Sequence, residues 1–133
     1  MNPWDLLRLN MQFYQSVLGE AEAELARLKL EVKSFFLLSA VEECKYPAEL
    51  AKRCLMPKPT VSFMIKRLEK HGYLVRKSVE GDLRKFELEL TVKGKQVAET
   101  GQVIVSRCFE KRLSKLSSEE LESYVRFLST MQG

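Results

Sequence analysis

At 133 residues, 45% hydrophobic and 30% charged, the chain is about one domain long and able to bury a real core. No apolar run nears the roughly 18 residues of a membrane span, the N-terminal MNPWDLLRLNMQ lacks the basic head and cleavage site of a signal peptide, and three scattered cysteines with one histidine make neither a disulfide framework nor a zinc site. Net charge is +4 but uneven: residues 45–85 hold eleven Lys/Arg against four Asp/Glu, a net +7 that leaves −3 elsewhere, as in a module that meets polyanions or simply in a solvated charged face.

The first helix is expected over residues 3 to about 28. Trp4, Leu7, Met11, Tyr14 and Leu18 make one stripe, which Phe13 and Val17 widen, and Gly19 is a candidate kink. A second helix, 31–44, is apolar nearly all round through Phe35, Phe36, Leu37, Leu38 and Val41, so it should be central and buried. Tyr46-Pro47 breaks it. PAELAKRCL is a short third helix with Pro47 in its first turn and Leu50, Ala51 and Leu55 facing inward. MPKP is a turn, and TVSFMIKRLEKHG is a fourth helix that buries Val61, Met64, Ile65 and Leu68 and ends on Gly72.

Residues 73–77 and 85–90 are two strands. In the second, Phe86, Leu88 and Leu90 point inward and Glu87 and Glu89 outward. SVEGD is the hairpin tip between them. Thr91 caps a fifth helix, 92–115, which carries Val97, Ile104, Cys108 and Leu116. Ser117 and Glu120 form a capping box that opens a last helix with the stripe Leu121, Tyr124, Val125, Leu128 and Met131.

This order is mainly α with a small β wing (α+β). It is a winged helix-turn-helix core at 31–94, flanked within one domain by N- and C-terminal helices at 1–30 and 95–133. The flanking helices carry more apolar surface than the core can cover, which points to a homodimer over an intramolecular bundle. No paired acid and base, phosphate loop or nucleophile–histidine pair is present, so neither an enzyme nor a cofactor is expected.

Residues 46–94 resemble the DNA-binding core of the MarR family of bacterial transcription regulators. The matching pieces are ELA (49–51), TVS (60–62), RLEKHGYLVR (67–76), DLR (82–84) and LTVKG (90–94). The resemblance implies a cytoplasmic homodimer, by family habit a repressor, on a pseudo-palindromic operator in double-stranded DNA. The fourth helix would enter the major groove and the hairpin the minor groove. Arg84 matches the wing arginine that inserts there, and Asp82 the acid that shapes the wing.

On the fourth helix the residues not used for burial are Lys58, Thr60, Ser62, Phe63, Lys66, Arg67 and Lys70. Lys58, Thr60, Ser62 and Phe63, nearer its start, are placed to read base edges; Lys66, Arg67 and Lys70 suit phosphates. Arg76 matches a family arginine at the strand's end and serves either the backbone or the wing. Two positions depart from the family: Phe63 replaces a basic or polar residue, and Tyr46 a capping Thr or Ser.

The family also binds small, often aromatic or anionic effectors in a cleft between its two parts. Trp4, Met11, Tyr14, Phe35 and Phe36 are candidate lining there, with core and dimer seam as the plainer reading. Two alternatives stay open: a winged-helix protein-interaction module without DNA, and a redox sensor built on Cys44, Cys54 or Cys108.

Overall fold

The computed structural model consists of six helices and one two-stranded antiparallel sheet. The structure describes all 133 residues, the side chains of Asp82, Leu83 and Arg84 excepted. The elements are α1 (Pro3–Arg27), α2 (Val32–Ala40), α3 (Pro47–Arg53), α4 (Lys58–Lys70), β1 (Leu74–Val79), β2 (Asp82–Leu90), α5 (Val92–Leu113) and α6 (Ser118–Gln132).

α1 starts with Asn2 Oδ1 accepting the Asp5 amide at 2.9 Å and Pro3 in the first turn. It runs on through Gly19 without a break. Only its C-terminal half is buried, where Val17, Ala21 and Leu25 meet the body of the molecule. α5 is its main partner, and across them Glu20 accepts from Lys111 at 2.7 Å and Arg112 at 2.8 Å.

α2 is shorter than its apolar run suggests. It ends at Ala40, and a turn follows before Cys44. It is also not buried all round: Phe35, Leu37 and Leu38 are in the core, but Phe36 is 42% exposed. α3 begins on Pro47 with no side-chain cap from Tyr46.

The α3–α4 connection corrects two expectations. Leu55 does not face inward; it is 91% exposed. Its backbone takes the left-handed value φ 51°, which turns the chain back so that Met56, whose amide donates to the Ala51 carbonyl at 3.0 Å, packs in its place. The segment MPKP is not all turn either. Pro57 is the extended N-cap and α4 already begins at Lys58, with Pro59 in the first turn where its missing N–H costs nothing.

The hairpin is longer and its turn tighter than predicted. β1 and β2 pair from Leu74↔Leu90 to Ser78↔Phe86, the register slips after Ser78, and Val79 pairs with Asp82. Glu80 and Gly81 make the turn, with Gly81 at φ 85°. The Asp82–Leu83–Arg84 backbone therefore opens β2 instead of lying in the loop. Leu88 and Leu90 are buried, and the Leu88 amide donates to the Lys45 carbonyl at 2.8 Å, tying the wing to the start of α3.

The local caps form as the sequence predicts. Gly72 turns the chain at φ 77° after α4. Thr91 Oγ1 accepts the Gly94 amide at 2.9 Å and donates to the Gly72 carbonyl at 2.6 Å. Ser117 and Glu120 close their capping box at 3.1 and 2.9 Å. α5 ends two residues early, at Leu113. α6 buries none of its residues in the single chain, and its apolar stripe is open.

Candidate nucleic-acid interface

α4 turns Val61, Met64, Ile65 and Leu68 into the core and the rest of its surface outward. Lys58, Ser62, Phe63, Lys66, Arg67 and Lys70 are exposed and Thr60 is half-buried. The four proposed base readers and the three proposed phosphate contacts thus share one outward surface of a single rigid helix. Among the described residues, Lys58, Lys66 and Lys70 have no carboxylate within ion-pair distance. The N-terminus of α4, with its unpaired amides, lies at the same end as Lys58.

The arginines are arranged differently. Arg67 donates to Glu31 Oε1, ahead of α2, at 2.6 Å, with its guanidinium 5.7 Å from the centre of the Phe63 ring. Arg76, on β1, donates to Glu69 Oε1 at 2.8 Å and lies 4.5 Å over the Phe86 ring, so it joins α4 to the wing. Lys77 pairs with Glu89 across the hairpin. The side chains of Asp82 and Arg84 lie outside the described residues. Glu31 carried no signal in the sequence: its partner is 36 residues away and the pair has no local spacing.

The aromatic candidates do not come together as one site. Tyr14 and Phe36 line a cavity of about 200 Å³ with Phe13, Val105, Phe109 and Tyr124. Phe35 is buried instead, with its ring over Gly101. Trp4 and Met11 are exposed on the free half of α1 and do not line that cavity.

Two of the three thiols, Cys44 and Cys54, have the wrong environment for a sensor. Burial, then the neighbouring Glu49 carboxylate at 3.5 Å, pushes the Cys44 thiol up from its ordinary value. Burial raises Cys54 too, against the pull of Arg53. A reactive thiol needs the opposite shift. His71 is pushed down, by desolvation first and then by Lys29, Arg67, Lys70 and Lys93 around it. No group of three or more potential metal ligands occurs among the described residues.

Residues 35–85 match the family model of the MarR family. That segment, from α2 to the start of β2, is thus similar to the MarR family. The whole fold is that of apo wild-type MarR from E. coli: TM-score 0.86, 21% identity, 100% of this chain and 99% of that one covered. A cysteine-to-serine mutant of that protein complexed with operator DNA superposes at TM-score 0.79 and 21% identity, over 97% and 94% of the two chains. The transcriptional regulator Tm0710 from Thermotoga maritima is 28% identical over 98% of this chain and 93% of its own, at TM-score 0.69. The Mycobacterium tuberculosis MarR family protein Rv2887, in complex with p-aminosalicylic acid, matches at TM-score 0.80 and 20% identity over 96% and 98%. No curated protein sequence matches the chain. Among the described residues, no helix is long and apolar enough to cross a membrane.

Proposed function

We propose that the protein is a sequence-specific DNA-binding transcription regulator, a repressor, that acts in the cytoplasm as a homodimer on a pseudo-palindromic operator. The observation that carries this is the outward surface of α4: three lysines with no carboxylate partner among the described residues, two hydroxyls and an exposed ring on one helix beside a hairpin wing. Lysines on such a surface gain by neutralising phosphates, hydroxyls serve donors or acceptors on base edges, and a helix fits the major groove. The operator complex of E. coli MarR, which has the same fold, supports the reading.

Apolar surface on α6 and the first half of α1 supports the dimer. Leu121, Val125, Leu128 and Met131 on one, and Trp4, Leu7 and Met11 on the other, are large apolar residues left exposed in the single chain. Two copies that cover these stripes would set two α4 helices against successive turns of one DNA face. A small aromatic or anionic effector is a finer part of the same proposal, with Tyr14 and Phe36 as lining, and the p-aminosalicylic acid complex of Rv2887 supports that chemistry.

The test is selection of bound duplexes from a random pool, followed by a salt titration on those recovered. Binding should weaken steeply with salt, because several phosphates are neutralised per subunit. Arg84→Ala should lower affinity while the protein stays folded. Absence of salt-sensitive duplex binding at low ionic strength would sink the proposal.

A further inference from the structure

Phe63 stands at the centre of the outward face of α4. At about 100° per residue it lies opposite the buried row Val61, Met64, Ile65 and Leu68, and it is 60% exposed. An apolar ring in the middle of a basic surface gains nothing from the core.

Its surroundings constrain it. Arg67, one turn on, lies beside the ring, and its guanidinium is bound to Glu31. Glu31 precedes α2 and is itself fixed: its amide donates to Ser34 Oγ at 2.8 Å, and Ser34 Oγ donates to the Glu31 carbonyl at 3.0 Å. An ion pair between side chains this exposed, 62% for Glu31 and 48% for Arg67, adds little to stability. Its effect is on the surface it shapes. One arginine is withdrawn from general phosphate contact and kept against the one apolar group at the centre of the helix.

We propose that Glu31 is a specificity-determining positioning residue: it holds Arg67 beside Phe63, so that the helix presents an apolar ring to a thymine methyl group in place of one more phosphate contact. This rests on the DNA-binding reading. An arginine on phosphate adds affinity for every sequence alike. A ring against the thymine methyl favours one base pair over the others. Exchanging the first for the second lowers general affinity and raises discrimination.

The experiment compares wild type with Glu31→Gln, Phe63→Ala and Arg67→Ala on duplexes recovered by the wild type. Each duplex is made once with thymine and once with deoxyuridine, which lacks only the methyl group. Wild type should lose about fourfold in affinity on that exchange, the scale of one buried methyl, and Phe63→Ala should lose nothing. Glu31→Gln keeps the shape and the backbone bonds ahead of α2, and its thermal melting should match wild type. It should bind unrelated duplex more tightly, with a salt slope steeper by about one per subunit, and its response to deoxyuridine should fall below twofold. Arg67→Ala should share the weaker deoxyuridine response without the steeper slope. A merely structural role for Glu31 predicts weaker binding and no change of slope. If wild type binds with the expected salt dependence but Glu31→Gln leaves slope and methyl response unchanged, the positioning role is wrong and the regulator reading stands. If wild type shows no salt-sensitive binding, both fall.

Discussion

Gly94 lies directly against the carbonyl of Tyr73, so close that a Cβ added to it would stand 1.8 Å from that oxygen. The contact docks α5 on the start of the wing by backbone alone, with the Thr91 amide donating to the same carbonyl at 3.1 Å. Gly94→Ala must push helix and strand apart, and we expect a loss of about 1–3 kcal/mol, the usual scale of overpacking. Gly19 is the opposite case: it is helical, with nothing within 4 Å of an added Cβ. Gly19→Ala should gain about 0.5–1 kcal/mol through helix propensity. Denaturant titration of both variants checks the signs, and a neutral Gly94→Ala would refute the docking.

What the sequence revealed was local. Caps at Thr91, Ser117 and Gly72 are legible because each depends on one residue's chemistry and its neighbours within a turn. The burial pattern of α4 is legible because four apolar residues recur at helical spacing. The outward turn at Leu55 was not, since a leucine in left-handed backbone follows no propensity and a helix continued from α3 would have placed it inside. The extent of α2 was hidden because past Ala40 the chain tightens into turns, with Val41 bonded to Leu38 and Glu43 to Ala40, a change of pitch that leaves no mark on the sequence. The division between Phe35, in the core, and Phe36, on a cavity, is set by Gly101 far along the chain. The residues of the candidate interface were readable as a set, but the coupling of Arg67 to Glu31 and of Arg76 to Glu69 and Phe86 was not, because those partners meet only in the folded chain.

That coupling separates the cations by role. Lys66 and Lys70 are exposed and have no carboxylate partner among the described residues. Replacing either with alanine should reduce the slope of log affinity against log salt by about one per subunit and leave the melting temperature in place. Arg76 is held between Glu69 and the Phe86 ring. Arg76→Ala should instead speed amide exchange in β1 and β2, as the wing loses its packing on α4. Equal slopes for wild type and Lys66→Ala would remove Lys66 from the phosphate contacts.

Leu128→Asp on α6 separates folding from association. The residue is 39% exposed, and none of α6 is buried in the single chain. A change on a surface without partners costs within about 0.5 kcal/mol, so the folded chain should tolerate it. At the seam of a dimer the same carboxylate would be buried without a partner, at a cost of several kcal/mol. Sedimentation should show wild type as a dimer and Leu128→Asp as a folded monomer. A dimeric variant would move the interface off α6.

The α1–α5 joint should respond to acid. Hydrogen bonds from Lys111 and then Arg112 hold the Glu20 carboxyl below its ordinary value of 4.5. A carboxylate whose folded value is depressed contributes stability above its unfolded value and loses it as pH falls through the folded one, where the native state must also take up the proton. Glu20 is at the surface, so salt screens the pair and the effect is modest. Glu20→Gln should therefore be less stable than wild type near neutral pH, and the gap should close as pH falls below about 4.5. Arg112 also donates to the Ser16 and Cys108 carbonyls at 3.2 and 2.7 Å, so it keeps α1 and α5 together after Glu20 is protonated. Arg112→Ala should then destabilise at every pH. Denaturation midpoints of the three proteins at pH 7 and pH 3.5 decide it: a gap between wild type and Glu20→Gln that is as wide in acid as at neutrality would mean that the carboxylate's charge does not hold the joint.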